Sequence, residues 1–501
     1  MVLLAFPDVR WERHLPPGAN PDLPAALVAE GSLPAAWVRR WAEEPARPVL
    51  HDAGRWTTAA ELEERSRQVA GRLAGAGLRA GDRLVTSAGT SIDLVVAHVA
   101  ALRLGLVVVP VNGAYREREI AHIVRDARPS AALVDDRERG GWVETAAVGP
   151  VLVLGPEVAL PDADAPDLDR AGVDDGALLC YTSGTTGVPK GALLTHGNIL
   201  SSPAALQLAW RWSPDDRLVL ALPLFHMHGL GVGLHGTLLV GASAVLQPTF
   251  AVETVLDAAR EHRASLFFGV PTMYERLARS SRVAELGALR LCVSGSAPLP
   301  ADLHARLATA AGTAVIERYG LTETVMNASN PYDGERRAGT VGFPLPGVEI
   351  RLGTGEEILV RGPNVFPGYW DRPDATAESF DAEGWFATGD IGAFDADGYL
   401  SIVGRSKELI ITGGFNVYPR EVEDVLRAFT GVADVAVVGV PSDEWGEVVT
   451  AVVVPDGAVD ADALLAFAAD ELAPYKRPRA VRFVDELPRN ALGKVLRNEL
   501  R

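Results

Sequence analysis

One short run gathers the residue types that hold phosphate: Tyr181-Thr-Ser-Gly-Thr-Thr-Gly-Val-Pro-Lys-Gly191. Its glycines let the backbone turn sharply and come close to an anion. Ser183, Thr185 and Thr186 offer hydroxyl donors, and Lys190 offers positive charge. N–H groups and hydroxyls arranged this way can surround the oxygens of a polyphosphate. The spacing is not that of a P-loop, in which Gly-Lys-Ser/Thr follows a four-residue gap. A second glycine pattern, Gly231-Val-Gly-Leu-His-Gly236, matches G-x-G-x-x-G. It follows no clear strand and no compact βαβ unit frames it, so close helix packing is the better reading.

The elements that must position this loop alternate along the chain. Helical periodicity covers residues 59–78, 92–104 and 120–127, and strand-like runs cover 83–87, 106–110 and 131–134. That alternation predicts parallel sheets covered by helices on both faces. A short apolar strand, 178–181, leads into the loop, and a helix is expected at 197–207. A helix at 252–263 and strands at 266–269 and 289–293 continue the pattern. Residues 350–361 and 399–404 read as short, turn-bounded antiparallel strands, the mark of a small barrel-like subdomain. The last hundred residues form a compact α+β set. A helix at 419–428, strands at 432–440 and 448–454, a helix at 461–471 and a strand at 480–483 compose it. The expected fold is α/β. A large N-terminal domain of stacked, mostly parallel sheets, residues 1–404, is followed by a small mobile domain, 405–501, with a hinge near Lys407.

Length and composition bound the function. A chain of 501 residues is too long for one ordinary core. Its formal net charge of −18 repels nucleic acid and anionic membrane over most of the surface. Cys180 and Cys292 sit in apolar, strand-like runs, which excludes a disulfide framework or a zinc site. The first sixteen residues carry Asp8, Arg10, Glu12 and Arg13 and lack a continuous apolar stretch, so no secretory signal is read there. The run 94–111 is broken by His98 and Arg103, and 218–246 by Pro223, three histidines and five glycines. Neither is a clean span, and both read as buried core of a cytoplasmic protein without a membrane span.

Four further motifs follow the loop. They are Tyr319-Gly-Leu-Thr-Glu-Thr324, Trp385-Phe-Ala-Thr-Gly-Asp390, Gly404-Arg-Ser-Lys-Glu-Leu409 and Pro488-Arg-Asn-Ala-Leu-Gly-Lys494. Together, in this order and over nearly the whole chain, the five resemble the signatures of AMP-forming adenylating enzymes: acyl-CoA synthetases, adenylation domains and luciferases. The resemblance implies an enzyme in which a carboxylate attacks the α-phosphorus of ATP and expels pyrophosphate, after which coenzyme A takes the acyl group. Negative charge builds on phosphorus oxygens, so donors and cations must surround them.

The resemblance implies the residue roles as well. Thr182, Ser183, Gly184, Thr185, Thr186, Gly187 and Lys190 would hold the phosphates, with Thr322. Glu323, and Thr185 beside it, would serve Mg²⁺, a hard cation that takes oxygen ligands. Tyr319 would stack on adenine and Asp390 would accept the ribose hydroxyls. Ser296, Ala297, Glu317, Arg318 and Arg405 are carried over as further nucleotide contacts. Lys494 would bridge the acid and the α-phosphate. Lys407 would lie at the hinge, and Gly413 and Gly414 near the pantetheine tunnel.

The acid pocket implied by the resemblance is lined by residues 225–229, 270–276, 294–297 and 321–326. The run 318–351, with Met326-Asn327 and Ala338-Gly-Thr-Val-Gly342, looks most like the malonyl-CoA synthetase branch. That branch holds a distal carboxylate with residues that map onto Arg276 and Ser296. Arg supplies a planar bidentate fork for such a group. His226, Gly229 and Met326 complete the implied pocket, His226 at its floor and counted with the catalytic group. The segment 413–421 resembles general acyl-CoA synthetases more than that branch. Short, medium-chain or aromatic monocarboxylic acids therefore stay open, as does an adenylation enzyme that loads an acyl carrier protein instead of CoA.

Overall fold

The computed structural model describes residues 11–16, 31–182, 189–412, 415–442, 445–490 and 493–501. The loop residues Ser183, Gly184, Thr185, Thr186 and Gly187 lie outside them, as do Gly413, Gly414 and the side chain of Lys407.

Two large sheets carry the N-terminal part. One has nine strands, and its centre is parallel: Ile316–Tyr319, Leu291–Ser294, Leu266–Gly269, Arg217–Leu220, Ser243–Leu246 and Pro48–Asp52 run side by side. The other has seven strands, with Gly176–Thr182 beside Val107–Pro110 and Arg83–Ser87. Runs such as Val-Val-Val-Pro and Leu-Phe-Phe-Gly are buried along their whole length. Strands covered by helices on both faces need such unbroken apolar sequence. The Ile92–Arg103 helix is buried from Leu94 onward, which accounts for the apolar run there without a membrane. Its Arg103 pairs with Asp169 at 3.1 Å and Glu63 at 3.0 Å. Among the described residues no helix is long and apolar enough to cross a membrane.

A four-stranded antiparallel sheet, Glu349–Leu352, Glu357–Arg361, Phe386–Phe394 and Leu400–Arg405, forms the half-barrel. The C-terminal sheet follows. Val432–Ser442 and Gly446–Pro455 pair antiparallel, and Ala480–Phe483 adds in parallel after the Ala461–Glu471 helix. Its own apolar core includes Val422, Leu426, Val437, Ala451 and Leu464. Leu400–Arg405 closes the half-barrel and Ile410–Thr412 opens the C-terminal sheet, so residues 406–409 join the two.

The sequence reading missed one strand at the phosphate loop. Lys190–Thr195 returns antiparallel to Gly176–Thr182, with Thr182 opposite Lys190 and Tyr181 opposite Gly191. The two strands flank the loop as an antiparallel pair, and the helix follows the second strand. Gly191 sits close to its neighbours at that closure: a Cβ there would lie 2.7 Å from Leu179 Cδ1 and displace it. The helix His196–Ala209 starts after it, capped by a reciprocal Thr195–Asn198 pair. The G-x-G-x-x-G run lies in the π-helical turn His228–Leu234 and the start of the His235–Val240 helix. Its glycines serve packing: a Cβ on Gly236 would meet the Trp212 ring at 2.5 Å.

Candidate active site

Three elements converge on Asp390. The strand Ile316–Tyr319 ends with Tyr319, whose hydroxyl donates to Asp390 Oδ2 at 2.6 Å. Arg405 stands opposite Asp390 in the neighbouring strand, and its Nε lies 2.8 Å from Oδ1. Asp390 is buried, and burial followed by the nearby carboxylate pushes the Tyr319 phenol well up. Each carboxylate oxygen keeps a second lone pair that can accept a ribose hydroxyl.

The Thr322–Thr324 turn lies beside this cluster. Asn364 Nδ2 donates to Thr324 O at 2.8 Å and Met326 O at 2.9 Å, and Phe366 N donates to Glu323 O at 2.9 Å. Val325, at φ 51°, closes the turn in the left-handed region. Glu323 Oε1 accepts from Tyr369 OH at 3.0 Å, and Lys190 Nζ sits 5.1 Å from the centre of the same ring. Burial raises the Glu323 carboxyl above its ordinary value. Tyr369 and Asn364 escaped the sequence reading. The strand Gly368–Tyr369 is two residues long and gives no periodic signal.

One carboxylate next to a polyphosphate suits Mg²⁺, which takes few protein ligands and completes its shell with water and substrate oxygens. Glu323 fits that demand. Among the described residues no group of three or more His, Cys, Asp and Glu side chains could hold a metal by itself.

Lys494 comes from the C-terminal part. Its N–H donates to Asn490 Oδ1 at 3.0 Å, and its carbonyl accepts from Asn490 N at 2.9 Å. Gly493 has φ 76° and packs so tightly on Thr272 that a Cβ would meet its Cγ2 at 2.8 Å. Thr272 belongs to the Pro271–Ala278 helix of the N-terminal part. Burial first, then Arg405, lowers the Lys494 ammonium from its ordinary value, while Glu408 and Asp390 oppose the shift. Lys494 therefore stands within electrostatic reach of the Tyr319–Asp390–Arg405 cluster. Arg497 fastens this segment, with Nη1 3.0 Å from Glu408 and Nη2 2.7 Å from Glu423.

On the acid side, His226 is partly buried and burial drives its ring down to about 4. Met326 is fully buried, and Gly229 is pressed onto Pro223, where a Cβ would lie 2.3 Å from its carbonyl oxygen. Ser296 holds φ 70°, and its Oγ is 3.3 Å from Nδ1 of the buried His228. His228 was not singled out in the sequence. The sequence placed it only within the 225–229 segment expected to line the acid pocket.

The structure does not join Arg276 to Ser296. Arg276 is exposed on the Pro271–Ala278 helix, one turn beyond Thr272, and its guanidinium lies over the Phe250 ring at 5.0 Å. That cation–π contact occupies the fork expected to face the pocket. Glu317 and Arg318, expected at the nucleotide, also have other surroundings. Glu317 Oε1 accepts from Leu299 N at 2.9 Å, and burial raises its carboxyl to about 7. Arg318 is buried beneath Gly295. Ala297 stands beside Ser296 on the same turn, partly buried.

Residues 37–370 match the AMP-binding enzyme family, and residues 421–494 match the AMP-binding enzyme C-terminal domain. The chain belongs to this family. Its relatives include a feruloyl-CoA synthase of Amycolatopsis sp, 40% identical over 94% of this chain and 98% of that protein. A malonate–CoA ligase of Arabidopsis thaliana is 35% identical over 85% of this chain and 79% of that protein. The crystal structure of ATP-bound MatB from Rhodopseudomonas palustris superposes with a TM-score of 0.88 at 41% identity, covering 94% of this chain and 98% of that one. This AMP-binding enzyme is an ATP-dependent acid–CoA ligase of the AMP-forming acyl-CoA synthetase class, with ATP and CoA as co-substrates.

Proposed function

We propose that this ligase activates malonate or a substituted malonate. The observation that carries the reading is the polar pair Ser296 and His228 on the side expected to take the acid. Met227, between His226 and His228, is partly buried. Its Sδ lies 3.9 Å from Cys180 Sγ, and its Cε presses on Gly231, where a Cβ would lie only 2.2 Å away. Ser296 Oγ lies 3.3 Å from His228 Nδ1, so both put polar atoms on this side. A small acid with a second polar group suits that lining better than a long apolar one. The run from Arg318 through Arg351 and the similarity to MatB and to the Arabidopsis malonate–CoA ligase support the same choice.

In this reading the carboxylate attacks the α-phosphorus, pyrophosphate leaves, and the CoA thiol then attacks the acyl carbonyl and releases AMP. Lys494 neutralises charge between acid and α-phosphate. Asp390, with Tyr319 and Arg405, holds the ribose. Lys190 and Thr322 would contact the phosphates, and Glu323 would hold Mg²⁺. The docking of Gly493 on Thr272 suits the first half-reaction, and rotation about the residues near Lys407 would bring the CoA side forward.

Pyrophosphate release over malonate, methylmalonate, hexanoate and ferulate, followed by thioester detection, tests the substrate. Turnover of the two malonates supports the reading. Turnover of hexanoate or ferulate alone rejects it. An aromatic acid is the second reading, favoured by the 40% identity to the feruloyl-CoA synthase.

A further inference from the structure

The helix Glu117–Ala127 has no part in the chemistry described above, yet it holds both ends of the phosphate loop. Its apolar face, with Ile120, Ile123 and Val124, is buried in the core of the seven-stranded sheet, so packing fixes its axis. His122 and Asp126 stand one helical turn apart on it and share a face. Asp126 Oδ2 accepts from Tyr181 OH at 2.7 Å, on the strand that enters the loop. His122 Nε2 donates to Pro189 O at 2.9 Å, on the chain that leaves it. The ladder between the two flanking strands ends at Thr182 opposite Lys190, so each contact falls beside that last pair.

The same helix reaches the carboxylate proposed for Mg²⁺. Arg372 Nη2 lies 2.6 Å from Asp126 Oδ1, Trp370 Nε1 donates to Asp126 O at 3.3 Å, and Arg128, just past the helix, pairs with Asp371. Trp370 N also donates to Gly191 O at 2.8 Å. These contacts hold residues 370–372, and the neighbouring Tyr369 donates to Glu323 Oε1 at 3.0 Å. Lys190 Nζ lies 5.1 Å from the centre of the Tyr369 ring. Asp126 is therefore shared. One oxygen takes the loop, and the other takes the segment that carries Tyr369. Its side chain is only 11% exposed, so water competes weakly for either contact.

We infer that His122 and Asp126 are positioning residues, which set the spacing between the two ends of the phosphate loop and the place of Glu323 against them. Their role rests on the loop's proposed place at the phosphates and is independent of the choice of acid. Donors aimed at developing charge act best when they are in place before the reaction. A loop fixed at both ends also loses less conformational freedom when a polyphosphate settles in it. AMP has no β- or γ-phosphate and gains nothing from that fixing. The two anchors differ in one respect: His122 holds only the loop, whereas Asp126 holds the loop and the Tyr369 segment together.

The test uses the full-length enzyme with His122→Ala, His122→Gln, Asp126→Ala and Tyr181→Phe, and with Lys190→Ala as the control for the loop itself. Calorimetric titration gives Kd for the α,β-methylene analogue of ATP with Mg²⁺ and for AMP, beside a thermal melt. His122→Ala should weaken the analogue about five-fold, the worth of one neutral hydrogen bond, with Kd for AMP within about two-fold. His122→Gln, whose amide can donate to the same carbonyl, should recover most of the loss. Tyr181→Phe should match His122→Ala. Asp126→Ala should weaken the analogue about ten-fold, because a carboxylate makes the stronger hydrogen bonds. It alone should also raise the Mg²⁺ concentration for half-maximal pyrophosphate release at saturating ATP, by about three-fold, through Tyr369 and Glu323.

An unchanged Kd for the analogue in folded His122→Ala and Tyr181→Phe, while Lys190→Ala weakens it, overturns the inference. So do Kd values for the analogue and for AMP that rise together with a lowered melting temperature and no recovery in His122→Gln, which mark a structural role. An Mg²⁺ dependence that overlays wild type in Asp126→Ala refutes its hold on Glu323. If Asp126→Ala does not fold, Tyr181→Phe cuts the same loop contact from the other side. If Lys190→Ala itself leaves the analogue unchanged, the loop does not hold the phosphates, and that reading fails and takes the inference with it.

Discussion

Replacing Asp390 with Asn should uncouple the nucleotide site from the rest of the enzyme. The carboxylate accepts from Tyr319 OH at 2.6 Å through one oxygen and pairs with Arg405 Nε at 2.8 Å through the other. Asparagine keeps one acceptor and turns an NH₂ toward a donor, so one of the two contacts becomes repulsive. Removing one partner of a buried ion pair costs about 3–5 kcal/mol. The Arg405 side chain is 30% exposed and can regain water, so a loss of about 2 kcal/mol is the fairer figure. That corresponds to about 30-fold in kcat/KM for ATP. The assay is pyrophosphate release with ATP varied at saturating acid, beside a thermal melt. KM for the acid at saturating ATP should change little, because the acid side has its own wall. A fall of less than about three-fold in kcat/KM for ATP, with an unchanged melting temperature, would refute the claim that Asp390 organises this cluster.

Three further outcomes are expected. Tyr369→Phe removes the donor to Glu323 and should raise the Mg²⁺ concentration for half-maximal rate by about five-fold, in line with one partly exposed hydrogen bond to a charged group; an Mg²⁺ titration that overlays wild type counts against it. Lys494→Ala should abolish adenylation yet largely retain thioester formation from supplied acyl-adenylate, and equal loss of both steps would contradict a division of labour between two domain arrangements. His14, His98, His196 and His226 are each pushed down to about 4 by burial. A folded pKa below the unfolded 6.5 means that their contribution is complete above pH 6.5 and is lost as pH falls toward 4. Each then withdraws roughly 3 kcal/mol. Urea midpoints measured from pH 7.5 to 5 should drop steadily below 6.5, and a flat profile over that range is the contrary result.

The sequence made the frame readable because parallel strands announce themselves. Val107–Pro110, Ala131–Val134 and Leu266–Gly269 are buried throughout, and their apolar runs are bounded by turn residues. The Thr195–Asn198 cap marks the start of its helix equally well. The return strand Lys190–Thr195 was lost because its Lys-Gly start continues the composition of the loop. Site residues in recognisable motifs, Tyr319, Asp390, Arg405 and Lys494, are brought together by long-range pairing. Tyr369 was missed, and His228 was read only as part of the 225–229 segment, because they act through tertiary neighbours, Glu323 and Ser296, that no local spacing predicts. Arg276 shows the converse. Its place in a motif said nothing of the Phe250 ring that holds its guanidinium. Arg318 was legible as a charged residue in a strand, but its lack of a partner is a property of three dimensions.

The chemistry itself can be followed by one label. Malonate carrying ¹⁸O in its carboxylates is incubated with ATP, Mg²⁺, CoA and the enzyme, and the nucleotide product is weighed by mass spectrometry. Attack of a carboxylate on the α-phosphorus, followed by thiolysis, leaves one ¹⁸O in AMP and none in pyrophosphate, with malonyl-CoA formed in equal amount. Label in orthophosphate with ADP as product, or unlabelled AMP, would contradict the acyl-adenylate account.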